Sequence, residues 1–297
     1  MDIRHFQYFT AVADAGSITL AAKNLSMEQP PLSQQLRKME ELLGVTLFIR
    51  QTRGVALTEA GRMLLPQARL ILELKQQFIE NAQSLAEGKK GRLRIGLAGS
   101  VPLLPAIPFA IRQFRTMAPD VVLSLEESNT PALCASLMNY QLDIAVVRPP
   151  VTDPEQIEVI PLLKEPTLAA LPSGHRLSEK KKIRLNEIGE DPLIIFPREL
   201  GPGFYDSILA AYQNAGATPP LGQQAPQIAG TIPLVAAGLG VSVVPESLRQ
   251  LHTEGITYHE IEDPAPYSNL AIAMRRAPNR PLVHDFGNLL RKVCSGA

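Results

Sequence analysis

The stretch that decides the fold is residues 16–58, which reads GSITLAAKNLSMEQPPLSQQLRKMEELLGVTLFIRQTRGVALT. Ser17 can cap a short helix that ends near Leu25, because a side-chain oxygen at this position accepts a hydrogen bond from a first-turn amide. Residues 26–28 predict a polar turn. A second helix is predicted from residue 29 to about 43, and the prolines in its first turn are tolerated because their missing N–H groups would have no partner there.

The second predicted helix has two different faces. Its apolar side chains recur at three- and four-residue steps and are expected to face inward: Leu32, Leu36, Met39, Leu42 and Leu43. The opposite face carries side chains that are expected to remain outside: Ser33, Gln34, Arg37 and Lys38. Such a helix suits a DNA major groove. The stretch therefore predicts a helix-turn-helix, preceded by a helix over residues 3–15, with these DNA contacts: Gln29, Pro30, Pro31, Ser33, Gln34, Arg37 and Lys38.

A two-stranded wing is predicted directly after the second helix. Residues 46–50 and 55–57 read as strands, and residues 52–54 form a glycine-containing turn between them. Arg53 at the tip is predicted to enter the minor groove, and Arg50 to meet phosphate. In a lone hairpin, solvated turn arginines would be the simpler interpretation. Beside a helix-turn-helix, the DNA role is favoured.

These motifs resemble the N-terminal signature of LysR-type transcriptional regulators. The resemblance rests on AVADAGSITLAAKNL at 11–25, QPPLSQQLRKMEELLGVTLFIR at 29–50 and LTEAG at 57–61. It is most specific over residues 1–65 and continues more loosely to the C-terminus. One position departs from the family, which usually has Ser where Glu28 stands. A carboxylate close to phosphates is unfavourable, so Glu28 is expected to alter backbone contacts or site preference.

A long helix is predicted from residue 58 to about 88, followed by a hinge at 88–91. Apolar residues recur in it every seven positions: Leu64, Ile71, Phe78 and Leu85, and Leu65, Leu72, Ile79 and Ala86. This repeat gives a seam that one helix cannot bury alone, which predicts dimerisation, as the resemblance also implies. The alternative is a helix that lies on its own domain's core. Pro66 is expected to bend the helix or to place its firm start after Thr58.

Composition limits the class of protein without deciding it. At 297 residues the chain can form two or three domains. It has 29 basic and 29 acidic residues, so the DNA-binding prediction depends on where Arg37, Lys38, Arg50 and Arg53 lie and not on excess charge. No signal-peptide pattern and no 18-residue apolar run occur, so a soluble, cytoplasmic chain without membrane contact is expected. Cys134 and Cys294 suit a reducing compartment and ordinary packing.

Residues 92–297 alternate strand and helix patterns, which predicts parallel sheets flanked by helices. Strands are expected at 93–98, 121–125, 142–147, 167–171, 193–196, 224–228, 241–244 and 270–274, and helices at 103–117 and 131–140. The resemblance implies a two-lobed effector domain, similar to periplasmic binding proteins, with lobes at 92–161 plus 267–297 and at 162–266. The predicted fold class is thus α/β with an N-terminal all-α winged helix-turn-helix over 1–58, a linker helix and hinge over 59–90, and an effector domain over 91–297.

Ligands of such sheets bind where the strands end. Polar and flexible residues at those ends and at the start of a second-lobe helix are the candidates: Gly99, Ser100, Thr130, Arg148, Pro202, Gly203 and Phe204. Helix starts hold anions through free amides, although Ser and Thr also cap helices without any ligand. The patterns GS, NT and FP…GPGF resemble the branch of the family that controls aromatic-compound breakdown. That resemblance implies that Ser100, Thr130 and Phe204 contact a small carboxylate, aromatic or a product of ring cleavage.

Other chemistries find little support in the sequence. Ser178-Glu-Lys-Lys181 matches S-x-x-K but has no K-T-G or S-D-N partner, and the five histidines lack metal-ligand spacing. The chain is therefore predicted to be a regulator without a metal or cofactor, not an enzyme. A solute-binding protein without a DNA role remains the alternative, opposed by the helix-turn-helix. The resemblance further implies a dimer or tetramer that reads an inverted-repeat operator and contacts RNA polymerase.

Overall fold

A computed structural model of the chain describes residues 1–51, 54–86, 91–262, 264–276 and 281–295, and at residues 80, 81 and 84–86 it describes the backbone only. The chain divides into two units, Met1–Glu87 and Gly88–Ala297. No helix in the described residues is both long and apolar enough to cross a membrane.

The N-terminal unit contains a helix-turn-helix, a short hairpin and a long helix. Its elements are α1 (Ile3–Ala15), α2 (Ile18–Asn24), α3 (Gln29–Leu43), β1 (Phe48–Arg50), β2 (Val55–Leu57) and α4 (Glu59–Ala86). The predicted cap is present, since Ser17 Oγ accepts a hydrogen bond from the amide of Leu20 at 3.4 Å. Gly16 and Gly44 end α1 and α3 with φ of +61° and +69°, a left-handed conformation that glycine adopts without strain.

The inner face of α3 packs into the core of this unit. The fully buried apolar residues of the core are Phe9, Val12, Ala21, Ala22, Leu32, Leu36, Met39, Leu47 and Ala68. The prediction that Leu42 and Leu43 also face inward is wrong, because they are 57% and 37% exposed. Both lie in the last turn of α3. Periodicity assigns a side chain to a face of a helix, but it does not ensure that another element covers that face.

Helix α4 runs without a break from Glu59 through Pro66. The helix starts directly after Thr58, which caps its first turn: Thr58 Oγ1 accepts a hydrogen bond from the amide of Gly61 at 2.9 Å. Leu64 and Leu65 pack against the core of the unit, so the first heptad of the seam is partly buried by residues of the same chain. Further along, Phe78 is 75% exposed. The Leu85 and Ala86 side chains and the predicted hinge at 88–90 lie outside the described residues.

The first lobe of the C-terminal unit contains a sheet with the strand order β4-β3-β5-β13-β6. Its elements are β3 (Arg92–Ala98), α5 (Ala106–Met117), β4 (Val122–Ser128), α6 (Thr130–Met138), β5 (Ile144–Val147), β6 (Ile157–Glu165), β13 (Ser268–Arg275) and α9 (Pro281–Ser295). Strands β3, β4 and β5 are parallel, so their carboxyl ends meet at one edge. Strand β13 is antiparallel to β5 and β6.

The second lobe contains a sheet with the order β11-β7-β12-β8 and a parallel pair β9-β10. Its elements are β7 (Thr167–Pro172), β8 (Lys182–Ile183), β9 (Leu193–Ile195), α7 (Pro202–Asn214), β10 (Leu221–Gln224), α8 (Thr231–Ala236), β11 (Ser242–Pro245) and β12 (Ile256–Ile261). Strands β11 and β12 both run antiparallel to β7, so the expectation of purely parallel sheets is wrong here.

Two predicted boundaries need correction. The strand expected at 224–228 lies earlier, at Leu221–Gln224, and Ile228 instead begins a 3₁₀ turn. The first lobe does not end at residue 161, because β6 stays paired with β13 until Glu165. Sequence periodicity did not reveal β6, since a strand that passes from one lobe to the next is buried unevenly along its length.

Candidate nucleic-acid interface and ligand cleft

The outer face of α3 presents most of the predicted DNA contacts to solvent. Gln34, Arg37 and Lys38 are exposed, as are three residues of the first turn: Gln29, Pro30 and Pro31. Within the described residues, the side chains of Arg37 and Lys38 have no hydrogen-bond or ion-pair partner. Their positive charges are therefore available to an external group such as a phosphate or a base edge.

Ser33 is the exception on this face. The prediction that it lies outside is wrong, because it is only 7% exposed. Its Oγ accepts a hydrogen bond of 2.6 Å from Nε2 of Gln29, one turn earlier in α3. Ser33 lies between the buried residues Leu32 and Leu36, at the border of the inner face. Periodicity alone does not decide whether a residue at this border is buried. Ser33 consequently orients Gln29 while lying beneath the surface.

Glu28 takes the N-cap position of α3, with φ of −79° and ψ of 150°, but its side chain makes no capping hydrogen bond. A serine at this position would supply a short oxygen for the first-turn amides. The longer carboxylate of Glu28 is exposed at the start of the helix instead. It places a negative charge beside the candidate interface, as the sequence predicts.

The hairpin predicted as a wing is present as β1 and β2, with Arg50 opposite Val55. Arg50 is exposed, whereas Arg53 lies outside the described residues. The hairpin contacts the residue that ends α1, because the amide of Val55 donates to the carbonyl oxygen of Gly16 at 2.9 Å. Gly54 permits this contact, since a Cβ there would be 2.3 Å from that same oxygen.

The C-terminal unit has a cleft between its lobes that encloses a cavity of about 320 Å³. This volume is at the small end of the range for small-molecule sites. The first lobe contributes Ala98, Gly99, Glu127, Ser128, Asn129, Thr130 and Arg148. The second lobe contributes Phe196, Leu200, Gly201, Phe204, Pro226, Gln227 and Ile228. The first-lobe wall is mainly polar, and the second-lobe wall is mainly apolar.

An aromatic pair forms much of the apolar wall. The rings of Phe196 and Phe204 are nearly parallel, with centroids 6.1 Å apart and an interplanar angle of 15°. Phe204 lies in the first turns of α7, as the sequence predicts. A stacked pair of this kind offers a flat apolar surface to a ring or a conjugated chain.

The polar wall begins where β4 ends and α6 starts. Asn129 caps α6 by accepting a hydrogen bond from the amide of Ala132 at 2.9 Å. Thr130 lines the cavity but is almost fully buried, and its Oγ1 lies 3.1 Å from both the amide and the carbonyl oxygen of Arg148. Thr130 thereby fixes the end of β5 against the start of α6.

Arg148 follows β5 at the first-lobe wall of the cavity and is only 6% exposed. Its Nε donates to Ser268 Oγ at 2.7 Å and its Nη1 to the carbonyl oxygen of Ala98 at 2.8 Å. Its Nη2 donates to Ser100 Oγ at 2.8 Å and lies 3.5 Å from Oε2 of Glu165. Burial lowers the pKa of Arg148, and the charge of Glu165 opposes this shift. Arg148 and Glu165 therefore form a buried ion pair and not a surface one.

The same network reaches the second lobe through Glu165 and Ser100. Glu165 Oε1 accepts a hydrogen bond from the amide of Ser247 at 2.8 Å, and Ser247 Oγ donates to Ser100 Oγ at 3.3 Å. A buried network of this kind fixes geometry, because removing any member leaves a buried polar atom unpaired.

Several predicted ligand residues are placed differently from the expectation. Ser100 is 1% exposed and lies behind Arg148, not at the cavity wall. Pro202 begins α7 but does not line the cavity, and neither does Gly203. Gly203 instead packs on the first lobe, where an added Cβ would be 2.1 Å from the carbonyl oxygen of Pro149. Gly99, Thr130, Arg148 and Phe204 do line the cavity.

Sequence reasoning missed Glu127 and Gln227, which both line the cavity. The signal for Glu127 was available, because it is a polar residue at the carboxyl end of a strand. The predicted strand ended at residue 125, whereas β4 continues to Ser128 and brings Glu127 beside Leu97 of β3. Gln227 had no such signal, since its segment was assigned to a strand.

Comparisons with known proteins agree over both units. A family model described as LysR substrate binding domain matches residues 86–295, and one described as bacterial regulatory helix-turn-helix protein, lysR family, matches residues 3–62. The HTH-type transcriptional regulator BudR of Raoultella terrigena is 35% identical, covering 96% of this chain and 99% of BudR. CatR of Pseudomonas putida is 32% identical, covering 95% and 96%. Full-length CbnR complexed with its target DNA matches with a TM-score of 0.82 and 27% identity over 99% of this chain and 100% of that one.

Proposed function

The chain belongs to the LysR family of DNA-binding transcriptional regulators, and from this premise we propose that it controls transcription in response to a small carboxylate, aromatic or a product of ring cleavage, bound in the cleft. The family consists of regulators, not enzymes. Family membership over residues 3–62 also removes the alternative of a solute-binding protein without a DNA role.

The observation that carries the ligand proposal is the division of the cavity. A stacked pair of aromatic rings, Phe196 and Phe204, faces polar strand ends and the start of α6 across the cavity. A flat apolar carboxylate satisfies both walls at once, because its ring or conjugated chain displaces water from the aromatic pair while a carboxylate group meets donors at the helix start.

DNA recognition is assigned to the exposed face of α3 and to the wing. Gln29, Gln34 and Arg37 reach base edges in the major groove, and Lys38 and Arg50 meet phosphates. This assignment is supported by the exposure of these residues, by the lack of partners for Arg37 and Lys38 among the described residues, and by the family relation to CbnR, whose structure was solved with its target DNA. Ser33 acts by holding Gln29.

Self-association is assigned to α4. Leu74 and Phe78 are exposed on this helix within the chain, and Phe78 belongs to the heptad seam. A second copy of the helix covers such a seam. A dimer with two-fold symmetry then reads an inverted repeat, since the symmetry of the protein is mirrored in its site. Assembly of two dimers into a tetramer is consistent with the resemblance.

The ligand proposal is tested by thermal unfolding of the full chain with benzoate and with cis,cis-muconate. A ligand that binds the folded state raises Tm as its concentration rises. Gln227→Trp is expected to abolish the rise, because Gln227 is exposed and lines the cavity, so that a bulky ring there fills it.

Gln223→Trp is the matched control, since Gln223 is also exposed, lies four positions earlier and does not line the cavity. It is expected to leave the rise in Tm unchanged. Loss of the rise in both variants would place the ligand elsewhere, and absence of any rise in the unmodified chain would overturn the carboxylate proposal.

A further inference from the structure

The cleft has a charge balance that restricts which carboxylates fit it. Arg148 is the cationic residue among those described as lining the cavity, and its charge is paired with the buried Glu165 directly behind it. Its bonds to Ser268, Ala98, Ser100 and Glu165 occupy all but one of its N–H groups. Arg148 therefore offers an incoming ligand one hydrogen bond and little uncompensated positive charge.

Glu127 adds a negative charge to the same cavity. It lies near the carboxyl end of β4, is exposed, and lines the cavity beside Ser128 and Asn129. Over the described residues, its carboxylate has no hydrogen-bond or ion-pair partner. Since Arg148 and Glu165 cancel, the cleft carries the net charge of Glu127, which is negative.

The donors of the polar wall are mostly neutral. The Oδ1 of Asn129 is occupied by the amide of Ala132, which leaves the side-chain NH₂ group of Asn129 as a donor. Pro131 has no N–H and the amide of Ala132 is bound to Asn129, so the free first-turn amide of α6 is that of Thr130, which lines the cavity. These groups and Arg148 suffice for one carboxylate, whereas a second carboxylate would compete with Glu127 for the remaining space.

We infer that the effector is a monocarboxylate that also carries a hydrogen-bond donor, a hydroxyl or an amino group, which donates to Glu127. This inference rests on the proposed function and narrows it. An unpaired carboxylate at the wall of a partly enclosed cavity repels a second negative charge, and it is stabilised by a donor. Glu127 is thus the residue that selects hydroxylated or aminated monoacids over diacids.

The test uses four acids built on one ring, so that size and stacking stay nearly constant: benzoate, 3-hydroxybenzoate, 4-hydroxybenzoate and terephthalate. Their dissociation constants for the full chain are measured by titration calorimetry. At least one hydroxybenzoate is expected to bind more tightly than benzoate, and terephthalate to bind most weakly. In Glu127→Gln, the ratio of the terephthalate Kd to the benzoate Kd is expected to fall about tenfold, because the charge is removed at nearly constant shape.

Glu126→Gln is the matched control. Glu126 precedes Glu127 in β4 and is also exposed, but it does not line the cavity, so its removal is expected to leave the ratio unchanged. A second measurement needs no variant. If the repulsion is electrostatic, raising the salt concentration strengthens terephthalate binding relative to benzoate in the unmodified chain, since mobile ions screen exposed charges.

The role of Glu127 and the carboxylate effector are contradicted by different results. If the acids bind but the ratio is the same in Glu127→Gln as in the unmodified chain, or changes equally in Glu126→Gln, then the role of Glu127 is wrong while the carboxylate cleft stands. If none of the four acids binds any of the three proteins, the carboxylate effector of the proposed function is wrong, and this inference falls with it.

Discussion

The outer face of α3 and the polar wall of the cleft hold their charged groups in opposite ways. Arg37 and Lys38 extend into solvent with no partner among the described residues, whereas Arg148 is buried in a network that reaches the second lobe through Glu165 and Ser247. The side chains of Arg37 and Lys38 are mobile until DNA binds, and the conformational entropy lost when they become ordered opposes binding. The geometry of Arg148 is fixed before any ligand enters, so binding there does not carry this entropy loss.

Substitutions in the two regions are therefore expected to affect folding and binding differently. Residues of the exposed face affect what the molecule binds and have little influence on whether it folds. Residues of the buried network affect folding and ligand binding together. Substitutions that measure both stability and binding therefore distinguish the two regions directly.

The largest effect is expected from Arg148→Ala. Removing one partner of a buried ion pair leaves the charge of Glu165 uncompensated, which typically costs about 3–5 kcal/mol of unfolding free energy. Urea denaturation measures this change. A loss below about 1 kcal/mol, within the range of surface pairs, would mean that the network does not hold the lobes.

A smaller loss is expected from Gly203→Ala, which tests the contact between α7 and the first lobe. The new Cβ would be 2.1 Å from the Pro149 carbonyl oxygen and 2.8 Å from Pro150 Cδ, so the lobes must shift. Overpacking of this kind costs about 1–3 kcal/mol. Gly174→Ala is the matched control, because nothing lies within 4 Å of its Cβ position. Equal stability of the two variants in urea would show that the lobes separate freely at Gly203.

Arg37→Ala tests the exposed face. If Arg37 reads a guanine, specific DNA binding is expected to weaken by roughly 1–3 kcal/mol, while the unfolding free energy stays unchanged. Gel-shift titrations on operator and random DNA measure the first quantity, and urea denaturation the second. An equal loss on both DNAs would make Arg37 a phosphate contact. A loss of stability would contradict the distinction between the two regions.

The smallest effect is expected from Ser17→Ala. Loss of a helix N-cap costs about 0.5–2 kcal/mol, and the lower end is expected here because the capping hydrogen bond is long, at 3.4 Å. The change in unfolding free energy is measured in urea. DNA affinity is expected to follow stability only, since Ser17 precedes α2 and lies outside the exposed face of α3. A larger loss of DNA binding than of stability would extend the interface to α2.

The two units also differ in how much of their structure can be predicted from sequence. In α1 to α3, the determinants are local: caps, glycine stops and apolar residues at helical spacing act within one or two turns, and these were predicted. Ser33 and Leu42 were assigned wrongly because burial at the edge of a face or at the end of a helix depends on which other element lies there.

The cleft could be predicted only in outline. Strand ends pointed to Thr130, Arg148 and Phe204, which do line the cavity. The partners of Arg148 could not be predicted, because Ser100 and Ser268 are 48 and 120 positions away in the chain. Local patterns contain no information about such pairs. Ser100 was therefore assigned to the ligand, although its hydroxyl group is bound to Arg148.

The separate origin of the two cavity walls has a consequence for engineering. The first lobe determines charge and hydrogen bonding, and the second determines shape through side chains such as Leu200 and Ile228. Resizing the second-lobe wall therefore leaves the Arg148 network intact, and changing Glu127 leaves the aromatic pair intact. In a reporter circuit built on this regulator, the shape of the ligand that is detected and the charge of that ligand can therefore be changed by independent substitutions.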